Sequence, residues 1–163
     1  MNLRNLMIAA ALVAVPCAMQ AQVAVKRNAA PGARFSTTIW AGDTLYVAGQ
    51  LASPVTPADP AKGTPAVYGD TEAQTMSILN KIQDILKAEG LTMGDIVQME
   101  CFLAGDPNKG GKMDFNGLNT AYGKFFGTAD QPNKPVRAAM QVAALAADWG
   151  LVEIMVVAVK SKK

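Results

Sequence analysis

The sequence predicts a single α+β domain, a mixed and mainly antiparallel β-sheet with two helices packed on one face. Three observations carry this. Short runs rich in β-branched and aromatic residues alternate with turns that contain Gly and Pro. Two longer stretches repeat apolar residues every three or four positions, the period of a helix with one buried side. The resulting order is β-β-α-β-α-β-β, and two helices cannot cover both faces of a five-stranded sheet. With no further segment to cover the second face, a partner subunit is the natural candidate.

Composition bounds the class. The chain has 163 residues, enough for one domain with a real core, and is 50% hydrophobic and 17% charged, which excludes a disordered chain. Its net charge of +2, from 15 Lys+Arg against 13 Asp+Glu, gives no electrostatic footprint for nucleic acid. The basic run Lys160-Ser161-Lys162-Lys163 reads as a solvated tail.

Residues 1–21 read as a secretory signal peptide, with Arg4 as the positive region, an apolar run over 6–15, and small or polar residues before cleavage after Ala21. Met19 departs from the small-residue rule. An uncleaved membrane anchor is the alternative, and a lipid anchor on Cys17 is disfavoured by Pro16 before it. The expectation is an exported protein, periplasmic or secreted, with no membrane attachment after cleavage. Residues 22–33 lack periodicity and read as a lead-in to a domain over 34–163.

Two strand-like runs, 35–40 and 44–50, flank Ala41-Gly42-Asp43 and predict a hairpin. The stretch 52–69 carries four prolines and two glycines and reads as a loop long enough to have a function. Asp70 or Thr71 caps the next element, with Gln74 at the capping-box position relative to Thr71. Ala73, Met76, Leu79, Ile82, Ile85 and Leu86 then mark a helix that Gly90 stops. Residues 96–104 form a strand. Phe115, Leu118, Tyr122, Phe125 and Phe126 predict a second helix closed by Gly127, with Gly117 and Gly123 as weak points inside it. Strands over 136–145 and 151–159 complete the chain.

Histidine is absent, and only Cys101 remains after signal cleavage. This removes Ser-His and Cys-His dyads, the commonest zinc ligand and any internal disulfide of the mature chain. Cys101 lies in an apolar run and reads as a packing residue. The chemistry falls to other groups. Glu153 is the one charge in the last strand, whose near-continuous apolarity predicts burial on both faces. Arg137 is the one charge in the strand before it. Antiparallel pairing of these consecutive strands would bring the two together, either as a structural salt bridge or as a site in which Arg137 grips a carboxylate and Glu153 handles a water. Asn119 and Tyr122 share a helix face, and a buried Asn119 amide would need partners. Gly49 lets backbone approach a ligand closely or simply marks a turn.

Several ordered motifs resemble the RidA/YjgF family of reactive-intermediate deaminases: Phe35-Ser36, Tyr46-Val47-Ala48-Gly49-Gln50, Gln74-Thr75, Asn80-Lys81-Ile82, Gly94-Asp95-Ile96-Val97, Asn119-Thr120-Ala121-Tyr122, Pro135-Val136-Arg137 and Val152-Glu153-Ile154. The resemblance spans about 35–159. It implies a chorismate-mutase-like fold, a homotrimer with ligand clefts between subunits, and hydrolysis of enamine or imine acids of the 2-aminoacrylate type to 2-keto acids and ammonia. It implies neither cofactor nor metal. The family's carboxylate-binding arginine falls on Arg137, its water-handling glutamate on Glu153, its helix asparagine on Asn119, and its site-lining backbone on Gly49. Three positions depart from the archetype: Ala48 replaces a serine, Ala139 a cysteine and Phe35 a tyrosine. Tyr122 is expected beside the ligand. The alternative is a non-catalytic binder of keto acids in the same cleft. RNA cleavage, also ascribed to the family, fits poorly with a chain that lacks histidine and a basic stripe.

Overall fold

The computed structural model describes residues 22–161. The expected signal peptide, residues 1–21, lies outside them. Along the chain run β1 (Val25–Asn28), β2 (Thr38–Ala41), β3 (Thr44–Leu51), α1 (Thr71–Ala88), β4 (Ile96–Leu103), α2 (Phe115–Tyr122), β5 (Val136–Gln141) and β6 (Val152–Val159). The strands make one six-stranded sheet in the order β1-β2-β3-β6-β4-β5. Every pair is antiparallel except β4–β5.

The predicted layers are present, with both helices on one face, but the strand count and pairing differ from expectation. The lead-in contains the sixth strand, β1. Its sequence, Val-Lys-Arg-Asn, is almost wholly exposed, so it has no inward apolar stripe to show in the sequence. Backbone pairing with β2 holds it, and Asn28 Nδ2 donates to Glu89 Oε1 at 2.7 Å from the end of α1.

The last two strands are not neighbours. A strand that returns through a helical crossover lies parallel to its predecessor, and α2 brings β5 back beside β4 in this way. β6 then inserts between β3 and β4. Burial explains the choice. β6 buries Val152, Ile154, Val156 and Ala158 under the helices, whereas β5 buries none of its residues fully and stays at the edge. Within one protomer β6 is therefore buried on one face only. Its other face, with Met155, joins Tyr46 of β3 in a bare surface, the two side chains 40% and 48% exposed.

Asp70 caps α1 by accepting from the Ala73 N–H at 2.9 Å, and Gly90 ends it in the left-handed conformation at φ 75°. The helix buries Ile78, Leu79, Ile82 and Leu86 against Leu45, Val47, Met99, Leu103 and Ile154. Each such side chain contributes about 1.5–3 kcal/mol of burial. Gln74 is not a capping-box residue. It is buried, donating to the carbonyls of Gly69 (3.3 Å) and Trp149 (3.2 Å) and accepting from the Leu151 N–H (2.8 Å). One amide thus ties two loops to α1, and above it the rings of Tyr68 and Trp149 stack at 3.5 Å.

α2 is shorter than predicted. It stops at Tyr122 with Gly123 at its C-cap, and Phe125 and Phe126 follow in a tight turn, with the Phe126 ring stacked on Tyr122 at 4.7 Å. Gly117 has a packing role: a Cβ there would stand 3.1 Å from the Glu72 backbone nitrogen, so its absence lets α2 close on α1. β2 begins at Thr38 and β5 ends at Gln141, both shorter than the apolar runs suggested. Among the described residues no helix is long and apolar enough to cross a membrane.

Candidate functional site

Arg137 sits on the edge strand β5 at the level of Met99 of β4, so it points to the helix side of the sheet and beneath α2. Its Nη2 donates to Asn119 Oδ1 at 2.8 Å. Its Cζ lies 4.4 Å from the Tyr122 ring centroid and 5.7 Å from that of Phe115. Nη1 is buried and has no hydrogen-bond partner among the described residues. A buried donor of this kind carries the full desolvation cost of an unmade bond, and on a cation the natural remedy is an anion. None of the salt bridges among the described residues involves Arg137.

The aromatic support is neutral. Burial pushes the Tyr122 phenol above its ordinary value, with the Arg137 charge opposing the shift in part. Burial also pushes the Cys101 thiol up to about 11, again against the Arg137 charge, so this fully buried thiol is not a nucleophile. Ala139 lies two residues beyond Arg137 on the same face, paired with Cys101 and half-buried.

Glu153 belongs to a different surface. It pairs with Phe102 of β4 and Leu51 of β3, alternating with the buried Val152 and Ile154, so its side chain lies on the face without helices. The expected pairing with Arg137 does not occur: β4 separates the two strands and the side chains take opposite faces. Glu153 forms no salt bridge among the described residues. Its carboxylate rests on Gly49, where a Cβ would fall on Oε1. A bulge in β3 between Val47 and Gln50 shapes this spot, and Gln50 Nε2 holds it by donating to the Ala48 carbonyl at 2.9 Å. The Ala48 N–H donates to the Thr37 carbonyl at 3.0 Å, tying in the loop that carries Phe35, itself 70% exposed.

The predicted residues therefore fall into two half-sites. Arg137, Asn119, Tyr122 and Ala139 form one, under α2. Glu153, Gly49 and Ala48, with the Phe35 loop fastened beside them, form the other on the bare face. Phe115 is a member of the first that the sequence reading treated only as helix core. Its signal was the spacing Phe115, Asn119, Tyr122, which places all three on one helical face. At the β5 edge, Gln98, Met99, Glu100, Val136, Arg137 and Ala138 line an open depression of about 250 Å³. A larger groove of about 770 Å³ beside Asp43, Thr92 and Asp95 includes none of the predicted residues. No group of three or more His, Cys, Asp or Glu that could hold a metal occurs among the described residues.

A family model described as Endoribonuclease L-PSP matches residues 25–160. A RutC family protein of Pyrococcus horikoshii is 36% identical over 126 residues, covering 77% of this chain and 86% of that one. A rat protein named 2-iminobutanoate/2-iminopropanoate deaminase is 36% identical over 120 residues, covering 74% and 75%. A YjgF-family crystal structure from Neisseria meningitidis has the same fold, with a TM-score of 0.64 at 19% identity, over 88% of this chain and all of that one.

Proposed function

The chain belongs to the RidA/YjgF family, and on that premise we propose that it hydrolyses 2-imino or enamine acids to 2-keto acids and ammonia. One observation carries the reading: a half-buried guanidinium under α2, oriented by Asn119 through one nitrogen, with the other nitrogen buried and without a partner among the described residues. A planar fork held in this way suits one edge of a carboxylate. Imine deamination needs little more than that anchor and a positioned water. The water oxygen adds to the imine carbon while its proton passes through Glu153 to the imine nitrogen; the resulting carbinolamine passes its hydroxyl proton by the same carboxylate to the amino group as the C–N bond breaks, leaving the keto acid and ammonia. Assistance of this general-base kind is worth about 10²–10⁴-fold.

Because Arg137 and Glu153 occupy opposite faces of one sheet, the mechanism requires Glu153 to come from a second copy. The bare face with Tyr46 and Met155 suits such an assembly, and a homotrimer with clefts between subunits would set one half-site against the other. The endoribonuclease description of the family model suits the chain less well, since it has no histidine for general acid–base work on a phosphodiester.

The test is ammonia release from imines generated in situ by an amino-acid oxidase, with and without the protein. Arg137→Ala should abolish the acceleration, and an unchanged rate would sink the proposal. Binding of 2-ketobutyrate without any turnover would favour the non-catalytic reading, which the loss of polar side chains at Ala48 and Ala139 supports.

A further inference from the structure

Resting on Arg137 as the carboxylate anchor, we infer that the cleft selects acids with a large apolar side chain, aromatic ones above all, and that Phe115 is the selecting residue. Asn119 Oδ1 is occupied by Arg137 Nη2, the rings of Tyr122 and Phe115 flank the guanidinium, and Ala139 lies two residues along on the same face. Beyond the Asn119 amide NH2 and the Tyr122 hydroxyl these groups are aromatic or aliphatic, so a large apolar substituent gains more contact there than a polar one.

Phe115 has room to act. It opens α2, the residue is 42% exposed, and its ring centroid is 5.7 Å from Arg137 Cζ. An acid gripped by Arg137 therefore brings its α-substituent close to this ring, which a planar or branched apolar group reaches and a methyl group reaches little. Ala139 offers the least bulk of any residue with a Cβ, leaving space for the longer chain. The adjoining depression is lined by Gln98, Met99, Glu100, Val136, Arg137 and Ala138, so Arg137 is the one cation in its lining and a second carboxylate on the ligand finds no partner there.

The experiment has two arms on the full chain. Calorimetric binding is measured for pyruvate, 4-methyl-2-oxopentanoate, phenylpyruvate and 2-oxoglutarate. Ammonia release is measured for imines formed in situ from alanine, leucine and phenylalanine. Each added methylene in an apolar pocket is worth roughly ten-fold at the low end. Phenylpyruvate and the phenylalanine imine should thus exceed their three-carbon counterparts at least ten-fold, with 2-oxoglutarate weakest. Phe115→Ala should reduce the phenylpyruvate-to-pyruvate ratio several-fold, and Phe115→Leu, which keeps the helix start packed, should keep the leucine-derived ligand and lose the aromatic preference. A flat or inverted ranking with all imines still deaminated overturns the inference and leaves the deaminase reading standing. Ranked keto-acid binding without turnover supports the inference and removes the deaminase reading. No binding by any of the four acids overturns both.

Discussion

The Glu153 carboxylate lies directly over Gly49, in space that any other residue's Cβ would take. Gly49 is not in a left-handed conformation, so its value here is the missing side chain rather than backbone freedom. Gly49→Ala should leave the backbone unstrained and push only the mobile end of Glu153. Expected stability changes are at the low end of overpacking costs, about 1 kcal/mol, while kcat for imine hydrolysis should fall ten-fold or more. A chemical melt and an ammonia assay on the same preparation separate the two effects. A variant that melts like the parent and also turns over like it would show that the carboxylate position is irrelevant to the chemistry.

Arg137 gives a second pair of expectations. Arg137→Lys keeps the charge but loses the fork and the flat contact with Tyr122, so it meets a carboxylate as a point charge instead of through a planar set of donors. Charge-assisted bonds of this sort are worth about 1.5–3 kcal/mol, which corresponds to roughly 10- to 150-fold in affinity. Keto-acid binding should weaken by that factor in Arg137→Lys and at least as much in Arg137→Ala. Asn119→Ala should weaken it less, since it frees the guanidinium without removing it.

The distribution of what was legible has a physical basis. The α1 stripe, the β6 apolar run, and the isolated charges Arg137 and Glu153 all stand out because burial forces composition, and each takes the expected element. β1 was illegible because an exposed edge strand is held by backbone bonds and by Asn28 reaching Glu89, neither of which imposes a pattern on residues 25–28. The sheet order was illegible for a related reason: whether β5 pairs with β6 or returns beside β4 depends on the path of α2, which strand composition does not encode. Phe115 was overlooked because a phenylalanine at helical spacing looks like core whether it faces the interior or a guanidinium.

Gln74 should be among the most stability-sensitive polar positions. Its amide satisfies Gly69, Trp149 and Leu151 backbone groups from a fully buried position. Gln74→Leu keeps the bulk but strands those groups, at about 1–3 kcal/mol for each one that water cannot reach. Denaturant melts should show a loss of at least 2 kcal/mol, and Tyr68–Trp149 stacking should loosen with it, visible as a change in tryptophan emission. An unchanged midpoint would mean the loops are held by other contacts.

Glu89 links β1 and β2 to the end of α1 and makes stability depend on acid. Its carboxylate accepts from Trp40 Nε1 (2.8 Å), Asn28 Nδ2 (2.7 Å) and Thr38 Oγ1 (3.0 Å). The Trp40 bond, followed by those of Thr38 and Asn28 and by the charge of Lys26, holds its pKa below the ordinary 4.5 in spite of partial burial. A carboxyl whose folded-state pKa is depressed contributes stability that is fully present above the unfolded value and is lost as pH falls through the folded one. The parent protein should therefore keep this contribution down to about pH 4.5 and lose it progressively below. Glu89→Gln lacks the titration, so it should be less stable than the parent at neutral pH and the gap should narrow as the solution is acidified. Melting temperatures for both proteins across pH 7 to 3 decide the matter; parallel curves would show that the Glu89 cluster contributes nothing that depends on its charge.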